Sequence, residues 1–319
     1  MTKSTKLRAA VIGVGYLGRF HAQKYKLIQD VDLVAVCDAR PDRGQAIAKE
    51  VATEFVDDFK KLKGRVDLIT VAASTRSHYE IAKWCLENHI AVFVEKPITV
   101  TSEEAQILVD IAEKNEVTLQ VGHVERFNPA MTSAEKVLKN PLFIEVHRLA
   151  PFTPRGADVD VVLDLMIHDL DVISSLVKSE VKSVSAVGVP VLTKLVDIAN
   201  ARIEFESGTI ANITASRVSM QTTRKFRVFE RDKYLSIDFG KGSVDLLTKT
   251  GEWADGGIPP LNHESWSLEK GDALLAETQS FVDCVRDKKR PVVSGEDGRN
   301  ALRLAEKILE KIRERSAKI

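Results

Sequence analysis

The sequence predicts a two-domain α/β protein, with an N-terminal doubly wound parallel sheet and a following α+β domain whose sheet is open and mostly antiparallel. Three observations lead there. At 319 residues the chain is longer than one ordinary core covers. From Leu7 to Val121 short apolar runs alternate with amphipathic segments, the rhythm of βαβ units with both sheet faces covered. After Asn128-Pro129 that rhythm gives way to short strand candidates separated by turn residues.

The elements follow in order. LRAAVIG, VDLVAVCD, DLITVAA, AVFVEK and TLQVG read as buried strands, and residues 16–29, 42–51, 77–88 and 102–115 between them as helices. Ligands of such sheets bind beyond the carboxyl ends of the strands, which puts Gly13, Asp38, Ala73, Glu95 and Gly122 where chemistry is expected. The second half offers FIEVHRLA, a helical stretch over 161–177, then VKSVSAVGV, DIANARIEFE, GTIANITASRV, KFRVFER, KYLSIDF and SVDLLT. Turn signals such as Glu206-Ser207-Gly208 and Glu230-Arg231-Asp232 separate them. Residues 251–270, with Gly256-Gly257 and Pro259-Pro260, read as an irregular loop, and helices over 273–287 and 295–313 close the chain. The expected domains are 1–124 and 125–319, with the C-terminal helices able to pack back on the first.

Hydrophobic residues make up 44% of the chain and charged residues 29%, so wholesale disorder is excluded. Lysine plus arginine and aspartate plus glutamate each number 46. No net field recruits nucleic acid or an anionic membrane, and an anionic ligand must be held locally. Cys37, Cys85 and Cys284 are far apart, without a CxxC pair. That argues against a disulfide framework and a zinc site and favours a cytoplasmic protein. Charges interrupt every apolar stretch before about 18 residues, so neither a signal peptide nor a membrane span is expected.

Gly13-Val14-Gly15-Tyr16-Leu17-Gly18 follows the first strand and opens a helix. Gly13 suits the tight turn, Gly15 lets backbone approach a pyrophosphate, and Gly18 permits close helix packing. The second strand ends in Asp38, placed to bond the adenosine ribose, which favours NAD over NADP. Arg40 is the group that would take a 2′-phosphate if Asp38 turned aside; otherwise Asp38 caps the next helix. Ser74 and His78 beyond the third strand, and Glu95, Lys96 and Pro97 beyond the fourth, complete the expected cofactor contacts.

Lys96 sits at a ligand-facing strand end, where an ammonium must be hydrated or paired. A bound oxidised nicotinamide, itself positive, moves such a lysine toward acid-base chemistry. On the segment VVLDLMIHDLDVI, a helical period places Asp164, His168 and Asp171 within roughly 60° of one another on an otherwise apolar helix. His168 is a candidate general base, with Asp164 or Asp171 fixing its tautomer. An Asp/His pair without further ligands is a thin metal signal, so no metal is expected.

VIGVGYLGRFHA, VEKPI, VGHVERFNP, DLMIHDLD and the ending ETQSFVDCVRDKKRPVVSGEDGRNALRLAEKI together resemble the Gfo/Idh/MocA oxidoreductases over essentially the whole chain. The resemblance implies a Rossmann domain, a C-terminal α/β domain whose open sheet mediates homodimer or homotetramer contacts, and Lys96, Asp164 and His168 as the catalytic group. Within that family the chain looks most like enzymes that oxidise C3 of UDP-N-acetylglucosamine. His123, Arg126, Asn128, Arg148 and Arg155 then become expected substrate contacts, the arginines at the diphosphate. The alternatives are a polyol or free-sugar dehydrogenase, and a non-catalytic cofactor-binding sensor. Proton duty falls to His168 or to Lys96.

Overall fold

The computed structural model describes residues 6–154, 156, 159–252, 257–268 and 271–317. Its first sheet contains β1 (Leu7–Ile12), β2 (Val31–Cys37), β3 (Glu54–Val56), β4 (Leu68–Val71), β5 (Ala91–Glu95) and β6 (Leu119–Gly122). Between them run α1 (Tyr16–Tyr25), α2 (Pro41–Glu50), α3 (Thr75–Glu87) and α4 (Ser102–Lys114). The strands are parallel, in the order β3-β2-β1-β4-β5-β6. Chain direction across the sheet therefore reverses between β1 and β4, the place where such sheets open a ligand crevice. β4, β5 and β6 are buried at every position, as covered parallel strands should be.

Local signals fix where helices begin. Pro41 stands in the first turn of α2, where its fixed φ and missing N–H do no harm. At α4 the Thr101 hydroxyl accepts from the Glu104 N–H at 3.3 Å, and the Glu104 carboxylate reaches back to the Val100 N–H at 3.2 Å, close to a reciprocal capping box. β3 was not among the expected runs, because three residues at a sheet edge carry too little periodicity to read.

The second sheet is preceded by α5 (Pro129–Ala134) and contains β7 (Phe143–Leu149), then, after α6 (Ile167–Val177), β8 (Val181–Val189), β9 (Ile198–Phe205), β10 (Ile210–Ser216), β11 (Thr223–Phe229), β12 (Lys233–Asp238), β13 (Ser243–Lys249) and β14 (Leu261–Ser267). The order is β14-β13-β12-β11-β7-β10-β9-β8, antiparallel throughout except for the β7–β10 pair. Side chains alternate between a buried and a half-exposed face, as β7 shows with Ile144, Val146 and Arg148 inward. β14 corrects the expected loop over 251–270: Leu261 to Ser267 pair with Lys249 to Ser243. Its polar run NHESWS lies on an outer edge and is exposed at all but one position, so no apolar alternation marks it as a strand.

Two more helices complete the chain, α7 (Ala273–Asp287) and α8 (Gly295–Ser316). The chain divides into two compact units, Met1–Val124 with Asp272–Leu302, and Glu125–Gly271 with Arg303–Ile319. α7 thus packs with the parallel sheet, where Phe281 meets Phe93 edge-on at 5.7 Å. In the second unit Met131, Met166, Leu170 and Ile173 join Leu304, Ile308 and Ile312 of α8 in one apolar cluster on the inner sheet face.

Candidate active site

The glycine turn is forced by space as well as by φ. Gly13 has φ +82°, and a Cβ there would stand 2.5 Å from the Ala73 backbone. A Cβ on Gly18 would come within 1.9 Å of the Gly13 carbonyl oxygen, so the helix can approach the strand end this closely only with glycine. Gly15 differs: a Cβ there would meet nothing nearer than Arg43 Nη1 at 3.9 Å, which leaves its backbone open to a ligand. No side chain caps α1 and no acidic residue stands in its first turn. An incoming pyrophosphate therefore meets no side-chain cap and no acidic residue of α1 itself, and the turn fits a dinucleotide. Tyr16 is exposed and edges onto Phe20, while Leu17 is half-buried.

Asp38 behaves differently from the expectation. It is 3% exposed, and both oxygens are engaged from within. Oδ2 accepts from the Val14 N–H at 2.8 Å and from Arg43 Nε at 3.0 Å; Oδ1 accepts from the Arg40 N–H and from Arg43 Nη2, each at 2.8 Å. The carboxylate thus braces the glycine turn, and a ribose reaches it only where Arg43 gives way. Arg40, expected near a 2′-phosphate, instead pairs with Asp42 on the surface at 2.8 Å. Arg43 was missed; its signal is position, one turn into the helix that starts at Pro41.

Beyond β4 and β5 the expected contacts split into exposed and buried groups. Ser74 precedes α3 and lies exposed, its hydroxyl 3.2 Å from that of Ser77. His78 is buried, with Nδ1 2.9 Å from the Pro97 carbonyl oxygen and Nε2 3.1 Å from that of Ala73. Burial pushes its pKa down, so the neutral ring has a single N–H and donates to only one of these two carbonyl oxygens. Glu95 is likewise turned inward, whereas Lys96 and Pro97 are half-buried just past the strand end.

In the second unit Asp164 lies in a π-helical turn, Val162–Met166, which leads directly into α6 and His168. Both side chains are half-buried. A π turn holds one residue more than an α turn, a departure concentrated at functional sites, and the α period read from the sequence could not register it. A Cβ on Gly156, at φ +77°, would stand 2.6 Å from Asp164 Oδ2, so Asp164 lies directly against that backbone.

The neighbouring acids are committed to arginines. Arg148 is 5% exposed; Nε and Nη2 donate to Asp169 at 2.7 and 2.8 Å, and Nη1 to Glu125 at 3.0 Å. Burial pushes the Asp169 pKa up, with Arg148 working against it. Arg148 is therefore an internal clamp rather than the expected substrate contact. Its parity with Ile144 and Val146 on β7 was the available signal. Arg148→Ala would leave two carboxylates buried without their cation, and is expected to destabilise the protein by about 3–5 kcal/mol, measured by urea unfolding.

Asp171, an expected tautomer-fixing partner, is buried and faces Arg126 at 3.7 Å; Arg126 also lies 3.8 Å from Glu135. Asn128 caps α5, accepting from the Ala130 N–H at 3.0 Å and donating to Glu125 at 3.2 Å. His123 is buried just past β6, and Arg155 lies outside the described residues. Sequence reasoning missed a second clamp. Arg217 donates to Asp197 at 2.8 Å and to the carbonyl oxygens of Gly156 and Val159 at 2.8 and 2.6 Å, and so holds the backbone on which Asp164 rests.

Comparison with known proteins agrees with this layout. A model described as an oxidoreductase family with an NAD-binding Rossmann fold matches residues 7–123, and the GFO/IDH/MocA C-terminal domain model matches residues 147–236. The chain is 36% identical to the UDP-N-acetylglucosamine 3-dehydrogenase of Acidithiobacillus ferrooxidans over 94% of its own length and 95% of that protein's. A solved structure of that enzyme superimposes with a TM-score of 0.91, covering 97% of this chain and 98% of the other. The myo-inositol 2-dehydrogenase of Thermotoga maritima is 28% identical over 96% of this chain and 97% of its own length.

Proposed function

Because this chain belongs to the Gfo/Idh/MocA family of NAD-binding oxidoreductases, we propose that it oxidises the C3 hydroxyl of a UDP-N-acetylhexosamine. The observation that carries this reading is the likeness, along nearly the full length of both chains, to a UDP-N-acetylglucosamine 3-dehydrogenase. The retained Lys96, Asp164 and His168 support it, since a cofactor-binding sensor has no use for all three.

In this reading the turn from Gly13 to Gly18 would hold NAD, which when bound would supply the acceptor for the hydride lost by the carbinol carbon. His168 takes the hydroxyl proton, Lys96 donates a hydrogen bond to the oxygen as negative charge develops there, and Asp164 orients the imidazole. Positioned acid-base groups of this kind contribute about 10²–10⁴-fold in rate. With Arg148 committed to Asp169 and Glu125, recognition of the diphosphate rests on Arg126 and Arg155. Arg43, bound to Asp38, stands beside the turn that would hold the cofactor.

The test is direct. The protein is incubated with NAD and, separately, UDP-N-acetylglucosamine, UDP-N-acetylgalactosamine and myo-inositol; reduced cofactor is followed by absorbance and the sugar by mass spectrometry. The expected product is a UDP-sugar lighter by two hydrogens. Turnover of the polyol with no nucleotide sugar bound would replace this substrate by an inositol-type one. Mass analysis is needed because a tightly held cofactor could be recycled without net absorbance.

We also infer a homo-oligomer formed through the outer face of the second sheet. Phe143, Phe229 and Tyr234 lie half-exposed in one cross-strand row there, with ring centroids 5.6 and 5.0 Å apart, an apolar row suited to a partner surface. A cytoplasmic location suits the three cysteines, all buried and free.

A further inference from the structure

We propose that Glu95, gripped by His21, is a buried positioning residue that sets the charge state of Lys96 and fixes its backbone at the end of β5. The inference rests on the reading of Lys96 as a reacting group. Glu95 closes a strand buried at all five positions and is 8% exposed. A carboxylate there is tolerated only with partners, and three elements supply its surroundings. From α1, His21, 0% exposed, places Nε2 2.7 Å from Glu95 Oε1. On the other side Oε2 accepts from the Lys96 N–H at 3.3 Å. Gly122, opposite Glu95 in the β5–β6 register, leaves the room, since a Cβ there would come 3.0 Å from Oε2. His21 is itself steadied by Phe93, whose ring it meets edge-on at 4.9 Å.

A carboxylate kept only for stability would gain little over an apolar residue at such a site. A charge kept beside a reacting lysine does something an apolar residue cannot. Burial opposes ionisation of Glu95, but the His21 hydrogen bond, with the neighbouring Lys96, holds its carboxyl below the ordinary value. It is therefore an anion at neutral pH. The groups around it are His21 on α1, His78 on α3, Lys96 just past β5, and Gly122 with the buried His123 at the end of β6. α7 adds the buried Glu277, whose backbone carbonyl accepts from Gln120 of β6 at 3.2 Å. Oxidised NAD, once held by this domain, would favour the neutral amine of Lys96, whereas the Glu95 carboxylate favours the ammonium.

The sign of the test follows. Removing the anion weakens the ammonium, so Lys96 loses its proton at lower pH. In NAD-saturated enzyme, the pH midpoint for acylation of the Lys96 amine, read by peptide mass spectrometry, is expected to fall by about one unit in Glu95→Gln. His21→Phe, which strips the carboxylate of its donor and lets it take a proton, should move the midpoint the same way. His21→Gln, which keeps a donor, should restore it. The acid limb of the kcat profile should follow.

Acylation needs no sugar, so a moved midpoint without turnover of any UDP-sugar would remove the substrate reading alone. An unmoved midpoint in Glu95→Gln, or in His21→Phe should Glu95→Gln fail to fold, overturns the proposal, even where activity falls.

Discussion

Turnover is expected to fall by about 10²–10⁴-fold in Lys96→Met and in His168→Ala, with the NAD dissociation constant changed by no more than a few fold. In the proposed mechanism both changes remove a proton-transfer or oxyanion-stabilising group while leaving the cofactor turn alone. Lys96 follows a buried strand whose position is fixed by four in-register pairs with β6. His168 opens α6, whose Leu170, Val172 and Ile173 are buried in the apolar cluster of the second unit. Neither side chain carries the core, so folding should survive the substitutions. Because the two groups would act in one transition state, the double variant is expected to lose little more than the worse single one. Steady-state kinetics with the UDP-sugar, beside fluorescence titration of the cofactor, decides the matter. Near-parental turnover in both variants would remove the catalytic assignment.

The second large effect separates binding from folding within one turn. Gly15→Val introduces a side chain into space where the nearest atom is Arg43 Nη1 at 3.9 Å, so the thermal midpoint should hardly move. The same side chain occupies the approach to the α1 amides, and NAD affinity is expected to drop at least about a hundredfold, ~2.8 kcal/mol. Gly13→Val should do the reverse first. Its φ of +82° lies in the left-handed region and its Cβ would overlap the Ala73 backbone at 2.5 Å. Strain of about 1–2 kcal/mol adds to an overlap that the strand end cannot relieve, so stability falls along with binding. Equal loss of stability in the two variants would contradict the geometry.

Much of the fold was legible because it is written in local periodicity. Helices over 42–51, 77–88 and 102–115 appear within two residues as α2, α3 and α4, and 273–287 coincides with α7. Each strand run of the second half appears as a member of one sheet. The elements that escaped include those too short or too polar to show a repeat: the three-residue β3, the six-residue α5, the polar edge strand β14 and the π turn before His168. At the site, the glycine turn was legible because one backbone geometry demands those residues. The roles of the charged residues were not. Asp38 and Arg148 both carried plausible ligand roles, and the structure commits both to internal partners.

The sequence by itself determined the parallel-then-antiparallel order of sheets, the tight glycine turn at Gly13 to Gly18, and the strand ends at which Asp38 and Lys96 stand. Those features depend on neighbours within a few residues, where steric limits and the 3.6- and 2-residue periods act directly. Only the tertiary structure decided which charges meet. Glu95 finds His21 across 74 positions of sequence, Arg217 reaches Gly156 across 61, and Arg148 closes on Asp169 across 21. A charge withdrawn from water is satisfied by whatever lies within about 3 Å of it in space. That choice is made by the packing of strands and helices, which no local pattern encodes.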